Sequence, residues 1–265
     1  MQLKIGERFK KYESPFENQL PPRMPVIIRV DGRAFHTLTK KTPYIAKPFC
    51  SIFNEAMIQA TNALCTETHA VMAYAQSDEI SLLLLNDRKY ETQPWFNNEI
   101  NKMISITASV ASVAFSQFLT RYVNGWGESW EAMGEGISVP ETKQQITAHF
   151  DSRVFVVPNY EIENYFIWRQ LDAIRNARNS WSEFTLGDKI GRKTARKKLH
   201  GMNGEARVEL VEEETGEKFE SVSGCFVYGT EVIATDKGYK RDVAPFYADN
   251  KEHIQSVVNR YYEKE

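Results

Sequence analysis

Val26-Ile27-Ile28-Arg29-Val30-Asp31-Gly32-Arg33-Ala34-Phe35-His36 is the stretch of sequence that decides the fold. Four of its first five residues are β-branched, which predicts a short buried strand. The strand ends at Asp31-Gly32, a turn signal, and the glycine lets a ligand approach the backbone. On its own an Asp-Gly pair indicates only a turn, but at the tip of a buried strand its carboxylate is also well placed to hold a metal ion.

A second acidic tip occurs at Gln76-Ser77-Asp78-Glu79. It separates two apolar runs, 69–74 and 80–85, and this pattern predicts a β-hairpin on a buried pair of strands. Neighbouring carboxylates in such a place repel each other unless a cation neutralises them. The two tips together therefore favour a cation site over a pair of solvated turns.

The predicted order of elements is a strand at 26–30, a helix at 48–65, the hairpin, a helix at 95–122 and a strand at 154–157. This βαββαβ order is that of the ferredoxin-like fold, an α+β architecture also found in polymerase palm domains, and it places Asp31 and Asp78 on adjacent central strands. Such a carboxylate pair can bridge two divalent ions about 3.5–4 Å apart, and oxygen ligands favour Mg²⁺. Loops are predicted at 37–43 and 124–149.

The rest of the chain is predicted to form a helix at 160–182, a basic segment at 187–200, a strand or hairpin at 225–234 and a final helix at 250–262. We therefore expect a palm-like core with its lead-in at 1–182 and an extension of helices and a small hairpin at 183–265, packed on the core. Polar helix faces are commonly solvated, but two of them are candidates for nucleic-acid contact. Their residues are Arg175, Asn176, Asn179, Lys189, Arg192, Lys193, Arg196 and Lys197.

Composition sets limits on the class of protein. The 265 residues carry a net charge of −2, so a nucleic-acid partner must be bound by a local basic patch. The three cysteines are far apart, which argues against a disulfide framework or a zinc site. We expect no membrane-spanning segment, and the N-terminus lacks the apolar core of a signal peptide, which favours the cytoplasm.

Several ordered blocks resemble the tRNA(His) guanylyltransferase family, including its guanylyltransferase-like members. The combination of Asp-Gly-Arg-x-Phe-His with Gln-Ser-Asp-Glu is specific, whereas each remaining block is weak alone. Together they span about residues 26–182. The blocks are Arg29–His36, Ala46–Pro48, Tyr74–Glu79, Ala108-Ser109, Phe150–Arg153 and Trp168–Asp172.

This resemblance implies an enzyme that adds nucleotides in the 3′→5′ direction to the 5′ end of a tRNA, using ATP and GTP or other nucleoside triphosphates. Two Mg²⁺ would be held by Asp31, the Gly32 carbonyl and Asp78, with Glu79 as a further catalytic residue. The family is often tetrameric, which implies a homo-oligomer. The nucleotide-binding residues by resemblance are Gly32, Arg33, Ala34, Phe35, His36, Lys47, Ser77, Lys102 and Arg153.

The chain departs from the eukaryotic pattern at two places. Ile174 stands where those members have a histidine associated with reading the histidine anticodon, and Phe49-Cys50 replaces a polar, acidic pair. An isoleucine cannot hydrogen-bond a base edge, so the resemblance favours template-dependent repair of tRNA 5′ ends. The alternatives are a dedicated tRNA(His) guanylyltransferase, a palm-type nucleotide cyclase, or a non-catalytic RNA-binding protein. The presence of both Asp31 and Asp78 argues against the last.

Overall fold

A computed structural model describes residues 4–42, 45–132 and 145–263, with side chains for all of these except 126–132 and 251. In this part of the chain six strands form one antiparallel sheet in the order β4-β1-β3-β2-β5-β6. The order of the first four strands is ferredoxin-like, so the predicted α+β fold is confirmed. The strands are β1 (Val26–Gly32), β2 (Met72–Gln76), β3 (Glu79–Leu84), β4 (Phe150–Val156), β5 (Thr230–Thr235) and β6 (Gly238–Val243).

Helices cover both faces of this sheet. The helices are α1 (Ile5–Glu13), α2 (Phe35–Lys41), α3 (Ser51–Thr68), α4 (Ile100–Ala132), α5 (Ile162–Ile190), α6 (Arg192–Leu199), α7 (Gly204–Thr215), α8 (Gly224–Val227) and α9 (Lys251–Glu263). In β1, Ile28 faces the core shared with α3 and α4, whereas Ile27 faces the core shared with α5 and α9. Because both faces are covered, four of the first five residues of β1 are apolar, as expected of a buried central strand.

Two loop predictions are wrong. The segment 37–43 mostly belongs to α2, which is anchored by buried Phe35 and closed by a hydrogen bond from the Thr42 hydroxyl to the Leu38 carbonyl. The segment 124–149 begins as helix, because α4 runs to Ala132, and residues 133–144 lie outside the described part. A glycine such as Gly125 costs a helix only about 1 kcal/mol relative to alanine, which is too little to end a well-packed helix.

The second half of the chain is joined to the first more closely than the predicted boundary at residue 182 suggests. The helix predicted at 160–182 continues as α5 to Ile190. The segment predicted as a strand or hairpin at 225–234 holds the single turn of α8 followed by β5, and the β5–β6 hairpin adds to the sheet beside β2. The final helix predicted at 250–262 is confirmed by α9. Residues on both sides of 182 therefore share one helix and one sheet.

The α4 helix is long and apolar enough over Ile100–Gly125 to cross a membrane by length and composition alone, and 28% of its most apolar window is buried. Its packing is nevertheless that of a helix covering a sheet. Phe115 and Leu119 are fully buried in the core, and the hydroxyl of Ser112 accepts a hydrogen bond from the Phe150 amide that begins β4. We therefore interpret α4 as a core helix of the palm.

The α5 helix is fastened to the sheet by a buried ion pair. The guanidinium of Arg169 donates to both carboxylate oxygens of Glu79, through Nε at 2.6 Å and through one terminal nitrogen at 2.8 Å. Beside this pair, the Gln170 amide donates to the carbonyls of Tyr228 and Pro245, which flank the β5–β6 hairpin. These contacts hold α5 at a set distance from β3 and from the added hairpin.

Breaking the Glu79–Arg169 pair from one side tests this anchor. We expect Arg169→Met to lower the free energy of unfolding by about 3–5 kcal/mol, because it leaves a buried carboxylate without a partner. The double variant Glu79→Gln/Arg169→Met removes the unpaired charge and should recover part of the loss. Urea unfolding followed by circular dichroism measures both values. A loss below about 1 kcal/mol in Arg169→Met would show that the pair does not anchor α5.

Candidate active site at the tips of β1 and the β2–β3 hairpin

The turn after β1 is shaped by a glycine and a phenylalanine. Phe35 packs its ring against Phe53, Phe115 and Phe150, with ring centroids 4.9–5.8 Å apart. A Cβ atom added to Gly32 would lie 2.7 Å from the Phe35 ring, closer than any side chain tolerates. The spacing Asp-Gly-x-x-Phe thus lets the chain fold back on its own aromatic anchor, which leaves Asp31 at the strand tip.

The hairpin between β2 and β3 places Asp78 beside this turn. Gln76 pairs with Glu79, and Ser77 in the two-residue turn between them adopts a left-handed φ of 49°. The Gly32 amide donates to the Asp78 carbonyl at 2.9 Å, and Asp31 is the register partner of Glu79. The two acidic tips predicted from the sequence are therefore neighbours.

Burial and a neighbouring carboxylate raise the pKa of Asp31 and of Asp78 at this edge of the sheet. Burial is the main cause of the raised pKa of Asp31, and the charge of Asp151 adds to it, while Arg153 and Arg29 act in the opposite direction. Burial also raises the pKa of Asp78, and the Asp31 charge raises it further. Ionising both groups in the absence of a cation is therefore unfavourable, as expected where carboxylates share a site.

These residues fit a hard divalent cation. In the described part of the chain, no group of three or more His, Cys, Asp or Glu side chains is placed to bind a metal. The protein would thus supply the carboxylates of Asp31 and Asp78 and a backbone carbonyl, with water and phosphate oxygens completing the shell. Mg²⁺ is commonly bound in this way, by one or two carboxylates together with substrate phosphates.

A cavity of about 540 Å³ opens beside Asp78, between the palm and the C-terminal helices. It brings together residues predicted for nucleotide binding and residues predicted for nucleic-acid contact. From the first group it is lined by Phe35, His36, Lys47 and Ser77, and from the second by Asn176, Asn179, Arg192 and Arg196. Asp31 itself is not part of the lining.

Sequence reasoning missed several residues of this cavity. Phe49 and Phe226 are stacked with ring centroids 5.1 Å apart, and Lys40 and Arg207 add positive charge. The only sequence feature that indicated this part of the cavity was Lys47, which lies just before α3. Phe49 and Phe226 are 177 positions apart, so nothing local predicts that their rings meet.

Some predicted site residues are placed differently. Both oxygens of Glu79 are bound by Arg169, so its predicted catalytic role stays a prediction. A guanidinium nitrogen of Arg153 lies 3.6 Å from a carboxylate oxygen of Asp151. The charge of Arg153 also acts on Asp31 and lowers its pKa. Lys102 binds Glu99 at 2.6 Å in the first turn of α4. The part of α4 that contacts Phe150 is a later turn, at Ser112. Lys102, in the first turn, is therefore not brought to the acidic tips.

The basic segment is partly neutralised by acidic residues that lie outside it in the sequence. Arg196 binds Glu183 at 2.6 Å, and Lys198 binds Glu214. Arg175 likewise pairs with Asp172 on its own helix. Tertiary packing of α6 and α7 on α5 supplies these partners. Arg33, Arg175, Lys189, Lys193 and Lys197 lie outside the lining of the cavity.

A ferredoxin-like palm with two carboxylates at adjacent strand tips, beside a cation-lined cavity, is the architecture of a nucleotidyltransferase. The family model described as "Thg1: tRNAHis guanylyltransferase" matches residues 6–158. The chain therefore belongs to the tRNA(His) guanylyltransferase family, as its sequence blocks indicated, and it is a transferase of tRNA processing. Membership sets it apart from the nucleotide cyclases and non-catalytic RNA-binding proteins considered above.

Individual relatives agree with this assignment. The tRNA(His) guanylyltransferase of Debaryomyces hansenii is 30% identical over 89% of this chain and 82% of its own length. Uncharacterized protein R259 of Acanthamoeba polyphaga mimivirus is 28% identical over 88% of this chain and 79% of its own length. A bacterial Thg1-like protein solved in complex with ATP has a TM-score of 0.78 and 32% identity, covering 96% of this chain and 99% of that one.

Burial of Asp78 and the neighbouring Asp31 charge, which both raise the pKa of Asp78, predict a pH-dependent gain in stability from Asp78→Asn. A carboxyl whose pKa is raised by folding stabilises the fold below its unfolded pKa, near 3.8, and loses that contribution as the pH rises through its folded pKa. In EDTA at pH 7.5 we therefore expect Asp78→Asn to melt about 2–4 °C above the wild type. The difference should shrink toward pH 4.

Thermal unfolding by calorimetry measures this gain, with Glu209→Gln as the control. Glu209 is exposed on α7, so its replacement removes the same charge away from the acidic tips. An Asp78→Asn protein that melts no higher than the wild type at pH 7.5 without metal would contradict the repulsion.

Proposed function

We propose that this chain is a 3′–5′ nucleotidyltransferase that repairs the 5′ ends of tRNAs, using the opposite strand as template and nucleoside triphosphates as substrates. The observation that carries the proposal is the placement of Asp78, which belongs to the acidic pair and also lines the cation-rich cavity. A phosphate bound in that cavity lies next to the position where a cation would be held.

Each residue of the site has a distinct role in this proposal. Asp31 and Asp78 would hold two Mg²⁺, and these ions would supply activation of a 3′-hydroxyl and neutralisation of the leaving phosphate. Lys47 and the Ser77 hydroxyl contact phosphate oxygens, and the stacked rings of Phe49 and Phe226 form an apolar wall for a base. Phosphoryl transfer of this kind depends on positioning and charge neutralisation, so no covalent nucleophile is needed.

The surroundings of Ile174 support repair over strict histidine-tRNA selection. Its side chain is 8% exposed and lies on α5 among the buried residues Ala173 and Ala177. A buried apolar side chain can neither reach a base edge nor hydrogen-bond one. Selection of one anticodon would therefore need a different residue to read it, whereas templated repair needs no residue that reads the anticodon.

Two 5′-monophosphorylated tRNAs distinguish the activities when each is incubated with enzyme, Mg²⁺, ATP and GTP. One is a full-length histidine tRNA, and the other is a tRNA of another anticodon that lacks its first 5′ nucleotide. We expect templated extension of the truncated tRNA by one nucleotide, measured on a sequencing gel. Addition to the histidine tRNA alone would instead make the chain a dedicated guanylyltransferase.

The variant Asp78→Ala should abolish extension of the truncated tRNA while keeping the circular dichroism spectrum of the wild type. The loss follows from removal of a carboxylate that holds the metal, and Glu209→Gln serves as the active control. Full activity of Asp78→Ala would refute the two-metal proposal.

The outward side of α6 carries a separate prediction for tRNA binding. Lys193 and Lys197 are exposed and have no acidic partner in the ranges that the structure describes. We expect Lys193→Gln/Lys197→Gln to weaken tRNA binding and to lower the slope of log K against log salt by about 1–2. Lys198→Gln, whose ammonium already pairs with Glu214, should change the slope less. Unchanged binding in the double variant would assign this side of α6 to solvent.

A further inference from the structure

Three cations from different parts of the chain converge on one wall of the cavity. Lys40 comes from α2, Lys47 from the segment before α3, and Arg192 from the first turn of α6. Burial lowers the pKa of Lys47, and the charges of Lys40 and Arg192 lower it further. Lys47 is thus close enough to both other cations to be repelled by them, and an anion bound among the three groups would relieve this repulsion.

Arg192 is held in place by a cation–π contact and by packing of its stem, and neither contact uses its hydrogen-bond donors. Its guanidinium carbon lies 3.9 Å from the ring centroid of Phe184, which also lines the cavity. Its aliphatic stem packs on Gly187, where an added Cβ would be 3.0 Å from the Arg192 Cγ and 3.4 Å from its Cα. Glycine is unfavourable inside a helix such as α5, and here its missing side chain makes the space that Arg192 occupies.

The positive charge of this wall is poorly compensated. Arg196 is bound to Glu183 at 2.6 Å, but the nearest acid to Arg192 is Asp188 at 4.0 Å, whose side chain is 77% exposed. An exposed pair at that distance contributes little. Neither Lys40 nor Lys47 has an acidic partner within the described residues. The wall therefore retains its charge for a ligand.

We infer that Arg192 binds the triphosphate of the nucleotide substrate, together with Lys40 and Lys47, so that the C-terminal helices complete the nucleotide site. This inference rests on the proposed function, which makes a nucleoside triphosphate the occupant of the cavity. A guanidinium offers several donors in one plane and suits the oxygens of a polyphosphate. Arg192, which the sequence predicted to contact nucleic acid, is thereby assigned to the cavity instead. Lys193 and Lys197 lie outside the lining of the cavity.

Calorimetric titration of ATP and AMP into the full chain in the presence of Mg²⁺ tests this assignment. We expect Arg192→Gln to weaken ATP binding at least tenfold, to weaken AMP binding less than threefold, and to leave tRNA affinity within twofold of the wild type. Lys237→Gln removes one exposed charge in the β5–β6 turn, far along the sheet from α6, and should leave ATP affinity unchanged.

A second variant displaces Arg192 without changing any charge. Gly187→Ala places a methyl group where the Arg192 stem lies, so it should also weaken ATP binding, while its circular dichroism spectrum stays that of the wild type. Loss of ATP affinity in both variants, with AMP affinity nearly kept, supports a triphosphate contact of Arg192.

The outcomes separate this inference from the proposed function. If the wild type binds no ATP, the proposed function itself is overturned. If the wild type binds ATP and Arg192→Gln binds it equally well, only the role of Arg192 is refuted. If Arg192→Gln weakens tRNA binding and leaves ATP binding intact, Arg192 contacts the tRNA backbone, which also refutes the inference.

Discussion

The buried ion pair between Glu79 and Arg169 is the interaction on which the arrangement of this molecule depends. Glu79 follows directly on Asp78, and Arg169 belongs to the helix whose later turns carry Asn176 and Asn179. One contact thus sets the position of the acidic hairpin tip relative to the opposite wall of the cavity. A pair with both charges desolvated is costly unless its geometry is good, and here both carboxylate oxygens are satisfied.

The site contains a group of neighbouring carboxylates and a separate group of neighbouring cations, and each group is unfavourable without a ligand of opposite charge. Asp31 lies near the like charges of Asp78 and Asp151 at the strand tips, while Lys47 lies near the like charges of Lys40 and Arg192 in the cavity. A nucleoside triphosphate with its cation carries both missing charges, so its binding relieves both repulsions.

Errors in the sequence-based predictions have identifiable physical causes. The helix α2 was missed because it is short and mostly polar, and the burial of Phe35 among distant aromatic rings helps to stabilise it. The end of α4 was missed because glycine weakens a helix without ending it. The basic segment looked unpaired because its acidic partners, Glu183 and Glu214, lie on α5 and α7.

The sequence by itself determined the palm and its acidic tips, because alternating apolar residues and turn signals act locally. From Val26–Gly32 and Gln76–Glu79 alone, the two carboxylates could be placed on adjacent strands. Only the tertiary structure decided that α6 contributes to the cavity and that Glu79 is held by Arg169. Those contacts join residues 90 or more positions apart, and no local pattern specifies which side chains meet once the helices pack on the sheet.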